Sequence, residues 1–266
     1  MKLIHITDLH LMPPGETLWG LDPLARFDAA LADIAAHHAD AALCAITGDL
    51  TEKGDIAAYA LLRERLARFP LPTRLILGNH DDRANYLKVF GGADETGHVQ
   101  HVLKHEGRHL LFLDTLKGPP SSAGLYDAPR RAWLEARLAE GGGAPAYLFM
   151  HHPPFDIGHP LMDLIKLDDA EDFAALIKGH DIRHIFFGHA HRTISGSWNG
   201  IGFSALPSLN HQLPLVGGSV ETVYSDEPPM YAAVTLADAM TLVHSDAFMH
   251  RNPAQMHADA ERGNWF

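Results

Sequence analysis

Seven side chains able to bind a metal stand just beyond short apolar runs. Asp8 and His10 follow residues 2–7, Asp49 follows 41–47, Asn79 follows 73–77, His151 follows 146–150, and His189 and His191 follow 183–187. Together they offer carboxylate, amide and imidazole donors without a thiolate. The lone Cys44 lies inside an apolar run with no adjacent base, where it reads as a small buried hydrophobe. Seven donors exceed the needs of one tetrahedral zinc. Shared between two cations, with one carboxylate bridging, they suit the arrangement in which ions ~3.5–4 Å apart clamp the attacking and leaving oxygens of a phosphoryl transfer. Mixed nitrogen and oxygen ligation suits Fe, Mn, Zn or Co. The chain holds 20 His in 266 residues, so close pairs arise by chance and position must carry the reading.

The elements that must position these groups follow from periodicity. Short apolar runs alternate with amphipathic stretches, the βαβ pattern of an α/β core. Asp22 and Pro23 open a helix over 23–38 with Leu24, Phe27, Leu31 and Ile34 at helical spacing. Asp55 is placed to cap a second helix, with a stripe of Ile56, Tyr59, Leu62, Leu66 and Phe69 that Pro70 and Pro72 stop. Strands are expected at 99–105 and 108–114 around Glu106-Gly107, helices at 129–140 and 170–178, and strands at 230–236 and 241–244. Asn199-Gly200 signals a hairpin between 193–197 and 201–205, which predicts that the second half turns toward antiparallel sheet. In open α/β sheets ligands gather beyond the carboxyl ends of strands, so five strands ending in Asp, Asn or His are expected to converge. Gly48, Gly78 and Gly188 are read as giving the tight turns that hand each polar residue to the site.

Composition narrows the function classes. Apolar residues make up 46% and charged residues 20%, enough for a sizeable core in one domain. Asp plus Glu number 33 against 21 Lys plus Arg, a formal charge of -12 that disfavours a nucleic-acid polymer as partner. No apolar run approaches the ~18 residues of a membrane span, and Asp8 comes too early for a signal-peptide core. The expectation is a soluble cytoplasmic protein without a membrane partner.

Asp8-Leu9-His10, Gly48-Asp49, Gly78-Asn79-His80-Asp81, His151 and Gly188-His189-Ala190-His191 match, in order, five motifs of the calcineurin-like metallophosphoesterases, and the chain resembles that family over roughly residues 1–215. The finer pattern, Gly78-Asn79-His80-Asp81-Asp82 with Met150-His151-His152-Pro153-Pro154 and the run from Leu206 to Gln212, resembles the bacterial glycerophosphodiesterase and class III cyclic-nucleotide phosphodiesterase branch. The resemblance implies an α/β fold built as a four-layer αββα sandwich, with a catalytic domain over 1–213. A C-terminal cap or dimerisation extension over 214–266 would follow, or form part of the same domain. It implies two divalent or mixed-valence ions, one held by Asp8, His10, Asp49 and His191, the other by Asn79, His151, His189 and the bridging Asp49. The activity it implies is hydrolysis of small phosphodiesters (glycerophosphodiesters, cyclic nucleotides or phosphonate esters) by a metal-bound hydroxide. His80 would bind a phosphoryl oxygen or protonate the leaving group, and His211 would touch substrate. A homo-oligomer is expected from the C-terminal region, whose terminal Trp265-Phe266 would be odd to leave exposed. A phosphomonoesterase or nucleotide pyrophosphatase on the same fold is the competing enzyme. Non-catalytic readings are a scaffold, which the filled ligand positions oppose, and a His-rich metal buffer.

The remaining polar residues carry plainer readings. His152 is expected to pack beside the site without ligating, and Asp81 and Asp82 to cap a helix from Arg83 or to touch the site. His37 and His38 close a helix. His98, His101, His105 and His109 are surface or packing residues, and Arg26, Lys53 and Arg192 are left without a role.

Overall fold

The computed structural model describes residues 1–215 and 223–251. Trp265 and Phe266 lie outside them. Six helices and eleven strands follow one another as β1 (Lys2–Ile6), α1 (Pro23–His37), β2 (Cys44–Thr47), α2 (Ile56–Leu66), β3 (Thr73–Ile76), α3 (Arg83–Phe90), β4 (His101–His105), β5 (Arg108–Phe112), α4 (Ala128–Glu140), β6 (Ala146–Phe149), α5 (Pro160–Leu164), α6 (Ala170–Ile177), β7 (Ile182–Phe187), β8 (Ile194–Trp198), β9 (Ile201–Ala205), β10 (Tyr231–Leu236) and β11 (Thr241–Asp246). None of the described helices is long and apolar enough to cross a membrane.

Two sheets form, in the orders β11-β10-β1-β2-β3 and β4-β5-β6-β7-β9-β8. The central strands are short and buried on both faces, so alternate side chains serve two different cores. On β1, Ile4 and Ile6 point to the layer that holds Phe27, Leu31 and Ile34 of α1 with Tyr59 and Leu62 of α2. Leu3 points the other way, into a core between the sheets with Leu43, Ile76, Phe112, Phe149 and Phe186. On the far side of the second sheet, Leu148, Ile185 and Phe187 meet Trp133, Leu134 and Leu138 of α4 and Phe173 and Ile177 of α6. Helix, sheet, sheet, helix is the four-layer αββα sandwich.

Several local expectations need correction. Asp22 caps α1 as read, accepting the Ala25 N–H at 3.0 Å, but Asp55 makes no side-chain cap bond to α2. The expected α2 stripe holds in Tyr59, Leu62, Leu66 and Phe69, all in or against the core, and fails at its first member. Ile56 is exposed, the helix ends before Phe69, and Ala58 joins Tyr59 and Leu62 in the buried face. β8 and β9 form the expected hairpin with Asn199 and Gly200 both at positive φ, yet β9 pairs parallel with β7. In the second sheet the antiparallel turn of the second half is thus an edge hairpin beside a parallel centre, and the rest of it appears in the first sheet. α5 was not expected, because a five-residue helix is too short to show periodicity. Beyond residue 213, β10 lies antiparallel to β1 and β11 to β10, so both are strands of the first sheet.

Candidate functional site

β1, β2, β3, β6 and β7 end on the same edge of the sandwich, and the residues that follow them meet there. His10 Nε2 lies 3.1 Å from His191 Nε2 and 3.7 Å from Asp49 Oδ2. His191 Nε2 is 3.3 Å from Asp8 Oδ1, and His151 Nε2 is 3.4 Å from Asp49 Oδ2 and 3.2 Å from Asn79 Oδ1. The His189 ring centroid lies 5.1 Å from that of His151. Groups separated by up to 183 positions of sequence thus share one pocket, with Asp49 between the Asp8/His10/His191 side and the Asn79/His151 side.

The backbone is bent to achieve this. Of the eight non-glycine residues at positive φ among those described, five are Asp8, His10, Asp49, His189 and His191. Such conformations are sparsely populated for L-residues and cluster where a fold over-determines a functional site. The glycines contribute differently from the expectation. Gly48 does adopt φ +94°, but Gly78 and Gly188 need no special φ. They need the absence of a side chain, since a Cβ on Gly78 would lie 2.2 Å from Asp49 Oδ1 and one on Gly188 would lie 2.1 Å from Thr7 Oγ1.

Hydrogen bonds fix which ring nitrogens face inward. His10 Nδ1 donates to Glu52 Oε2 at 2.7 Å, His191 Nδ1 to the His211 carbonyl at 2.8 Å, and His151 Nδ1 to the Thr47 carbonyl at 2.7 Å. In the neutral form that ligation requires, each imidazole turns an unprotonated Nε2 toward the centre. Those lone pairs face each other, two carboxylates and an amide oxygen. An acceptor-only cluster of this kind, with the buried His189 Nε2 also lacking a partner, is repulsive unless a cation occupies its centre. Metal-ligating histidines characteristically donate their other N–H to a carboxylate or carbonyl, so the donor set fits metal ions.

Electrostatics point the same way. Burial would raise the Asp49 carboxyl, but His151, His80 and His10 outweigh it and hold the group well below the ordinary range. Burial would lower His151, but Asp49 and Asp8 outweigh it and lift the imidazole to about 9. Without a metal that ring holds a proton toward Asp49, and a cation bound there would take the proton's place. Burial drives His189 down to about 3 and His10 well below its usual value, which keeps both neutral as ligands must be.

His80 donates its backbone N–H to Asp49 Oδ1 at 2.9 Å and its ring Nδ1–H to the Glu52 carbonyl at 3.0 Å, which leaves Nε2 free on the cavity it lines. The loop carrying His211 is pinned. Ser208 Oγ donates to the Asp8 carbonyl, Arg26 to the Asn210 carbonyl and Arg192 to the Leu213 carbonyl. Arg26 and Arg192, unassigned from sequence, therefore hold this loop. The His211 ring packs 4.8 Å from His10 and 4.6 Å from His191, and burial lowers it to about 3. His152 is buried against Thr115 Oγ1 at 2.8 Å beside the His189 ring. Asp82 caps α3 through the Asn85 N–H, while Asp81 accepts the backbone N–H groups of Leu50, Thr51 and Gly78 and the Tyr59 hydroxyl. Asp81 thereby ties the ends of β2 and β3 together.

Sequence reasoning missed Glu52 as a support of the site and left Asp81 between a helix cap and a site contact, of which the structure shows the second. Glu52 stands three residues after Asp49, but nothing in its neighbourhood separates it from an ordinary solvated charge. The cavity, about 340 Å³, is lined by the polar Asp49, Asn79, His80, Ser122, His189, His191 and His211 and by Leu161, Met162, Ile165, Leu213 and Tyr224. Its lining includes no Lys or Arg.

A family model for the calcineurin-like phosphoesterases matches residues 1–193. The chain is 38% identical over 261 residues to a probable cyclic nucleotide phosphodiesterase of Rhodopseudomonas palustris, covering 95% of this chain and 94% of that one. It is 29% identical over 242 residues to a glycerophosphodiester phosphodiesterase of Enterobacter lignolyticus, covering 86% and 84% of the two chains. A dimetal phosphatase from Danio rerio superposes with a TM-score of 0.70 at 13% identity, over 92% of this chain and 95% of that one, and so shares the fold. With its motifs gathered in one pocket and its sequence matched along most of its length, the chain belongs to the calcineurin-like phosphoesterase family, in the branch of the cyclic nucleotide and glycerophosphodiester phosphodiesterases.

Proposed function

We propose that the protein hydrolyses small phosphodiesters at a dinuclear metal centre. Asp8, His10, Asp49 and His191 would hold one ion, and Asn79, His151, His189 and the shared Asp49 the other. The observation that carries this reading is the acceptor-only convergence of His10, His151 and His191 Nε2 with Asp8, Asp49 and Asn79 oxygens. Among the described residues no Lys or Arg lines this cavity, and Lys53 and Arg83 line only the adjoining one, so bound cations would supply the positive charge nearest an anionic ester. When bound, the ions activate water for in-line attack and neutralise the phosphoryl oxygens. The chain itself does the rest. Glu52 and the Thr47 and His211 carbonyls hold the ligand tautomers, and the apolar wall of Leu161, Met162 and Ile165 excludes bulk water. His80, fixed through Nδ1, presents Nε2 to a phosphoryl oxygen or to the departing alkoxide. His211 lines the same cavity as a substrate contact.

The named activities of the two relatives support a diester over a monoester. Mn, Fe, Zn and Co all suit the donors. The cytoplasm remains the compartment we assign. Self-association through the C-terminal region has support in β11, an edge strand flanked by exposed Met240 and carrying exposed Leu242.

The test is a panel of cyclic AMP, glycerophosphodiesters, a phosphonate monoester, bis(4-nitrophenyl) phosphate and 4-nitrophenyl phosphate. It is run on metal-stripped protein refilled with each of the four metals. Diesters are expected to turn over much faster than the monoester, and Asp49→Ala to abolish both. Equal or inverted rates reject the diester assignment. His80→Asn in the same panel is expected to lower kcat by ~10²–10⁴ with two metals retained, and loss of metal instead would reduce His80 to a support for its neighbours.

A further inference from the structure

Two aromatic rings at the rim of the cavity have no part in the roles above. Trp19 and Tyr224, from opposite ends of the chain, stack with centroids 4.5 Å apart at an interplanar angle of 30°. Tyr224 lines the cavity and meets the His211 ring edge-on at 4.6 Å, and His211 in turn packs against His10 and His191. Aromatic surface therefore runs without a break from the metal-ligand cluster out to Trp19. The indole is 58% exposed.

The backbone under Trp19 is unusual. Leu18 and Leu21 exchange both backbone hydrogen bonds at 2.9 Å and close a two-residue turn with Trp19 at φ 55° and Gly20 at φ 78°. Positive φ at both central residues is the type I′ geometry, which favours Asn, Asp or Gly at the first position. A bulky residue there is a true outlier. Core packing does not account for it, because the ring is mostly in solvent. A strained turn that holds a large exposed ring beside a reaction site indicates use of the ring.

We propose that Trp19 and Tyr224 form a stacking subsite for a planar ring carried by the phosphodiester, a nucleobase or another aryl group. The inference rests on the phosphodiesterase reading and narrows it toward esters whose alcohol bears such a ring. Leu161, Met162 and Ile165 line the same cavity as Tyr224 and add apolar surface for the ring. Neither aromatic is charged, so they hold the ring through its π-face and apolar area, tolerating one base or aryl group in place of another. Glycerol and other ringless alcohols gain nothing from the platform.

Base–aromatic stacking of ordinary strength predicts that Trp19→Ala lowers kcat/KM for cyclic AMP and for bis(4-nitrophenyl) phosphate, relative to glycerophosphoethanolamine, by about 5- to 150-fold. Trp19→Phe restores most of that ratio. Cyclic AMP and the aryl diester separate a nucleobase from a general aryl requirement. Calorimetric titration of the metal-loaded enzyme with AMP and with ribose 5-phosphate gives a second readout independent of turnover. AMP is expected to bind more tightly, and the ratio to collapse in Trp19→Ala and Tyr224→Ala. A variant that loses all esters in proportion, or a wild-type enzyme that binds the two monophosphates equally, overturns the subsite. If no diester is hydrolysed, the phosphodiesterase reading fails and the AMP to ribose 5-phosphate ratio alone decides the subsite.

Discussion

Removing the Glu52 carboxylate should weaken one metal site and spare the other. Glu52 is only 15% exposed and accepts the His10 Nδ1–H at 2.7 Å. Without it, the neutral His10 ring is free to move its proton to Nε2, where it would point at His191 Nε2, 3.1 Å away, and no longer serve as a ligand. Loss of such an orienting partner typically costs 10- to 100-fold in metal affinity, about 1.4–2.8 kcal/mol. In Glu52→Ala that loss should fall on the ion held with Asp8, His10 and His191. His151, whose Nδ1 is held by the Thr47 carbonyl, has no contact with Glu52 and its ion should bind as before. His80 loses a carboxylate 3.4 Å from its Nδ1 but keeps the Glu52 carbonyl at 3.0 Å, which still holds its ring. Glu52→Gln keeps an acceptor oxygen without the charge and should lose less than about tenfold. The assay is chelator competition with Mn or Co, resolved into two binding steps, on protein whose metal-free unfolding midpoint matches wild type. Equal weakening of both steps in Glu52→Ala, or of neither, refutes the reasoning.

Gly78→Ala tests the claim that close approach, not turn conformation, sets that position. The new Cβ would meet Asp49 Oδ1 at 2.2 Å and Asp49 N at 2.5 Å, and backbone cannot step aside as a flexible side chain can. Metal content and diesterase activity should both drop at least tenfold while far-ultraviolet circular dichroism stays native, and a fully metallated, active variant contradicts it. His184 tests the pH dependence of the core between the sheets. It bonds Ser204 Oγ at 2.9 Å, and burial lowers it to about 4. A folded pKa below the unfolded value of about 6.5 means that the unfolded chain takes up the proton first. Stability fully present above pH 6.5 is therefore lost as pH falls toward 4, by about 3 kcal/mol. Denaturant midpoints of metal-free wild type and His184→Gln should converge over that window, whereas parallel curves would exclude the effect.

How legible each part was depends on how local its cause is. The metal-ligand candidates could be found because each follows a run that is apolar on both faces, and such strands deliver their next polar residue to the carboxyl edge whatever their partner. Trp198-Asn199-Gly200-Ile201 likewise named its own hairpin. Strand partnership is not local. Nothing near Ile201 says that β9 lies parallel to β7, and nothing near Tyr231 says that β10 lies beside β1. Short supports are hard to assign too, Glu52 going unnoticed and Asp81 being read equally as a helix cap. Glu52 and Asp81 act through hydrogen bonds to rings and amides brought near by the folded sheet. α5, with five residues, has too few turns to show the face that puts Leu161 and Met162 in the cavity.

The same division explains why chemistry could be read before specificity. Binding a metal pair demands particular donor atoms, so residue type alone narrows the candidates to a few positions, and strained backbone at Asp8, His10, Asp49, His189 and His191 follows from turning those donors inward. Choosing among diesters demands only surface of the right shape beyond the phosphorus, which Trp19, Tyr224 and α5 supply with residues that in a sequence look like packing. Tyr224 and α5 belong to segments that hold no metal-ligand candidate, and Trp19 sits nine residues beyond His10, in a turn of its own closed by Leu18 and Leu21. The wall can therefore change its alcohol preference without disturbing the ions. A Trp19→Ala enzyme that keeps both metals but loses its preference for ring-bearing esters is the outcome this separation requires.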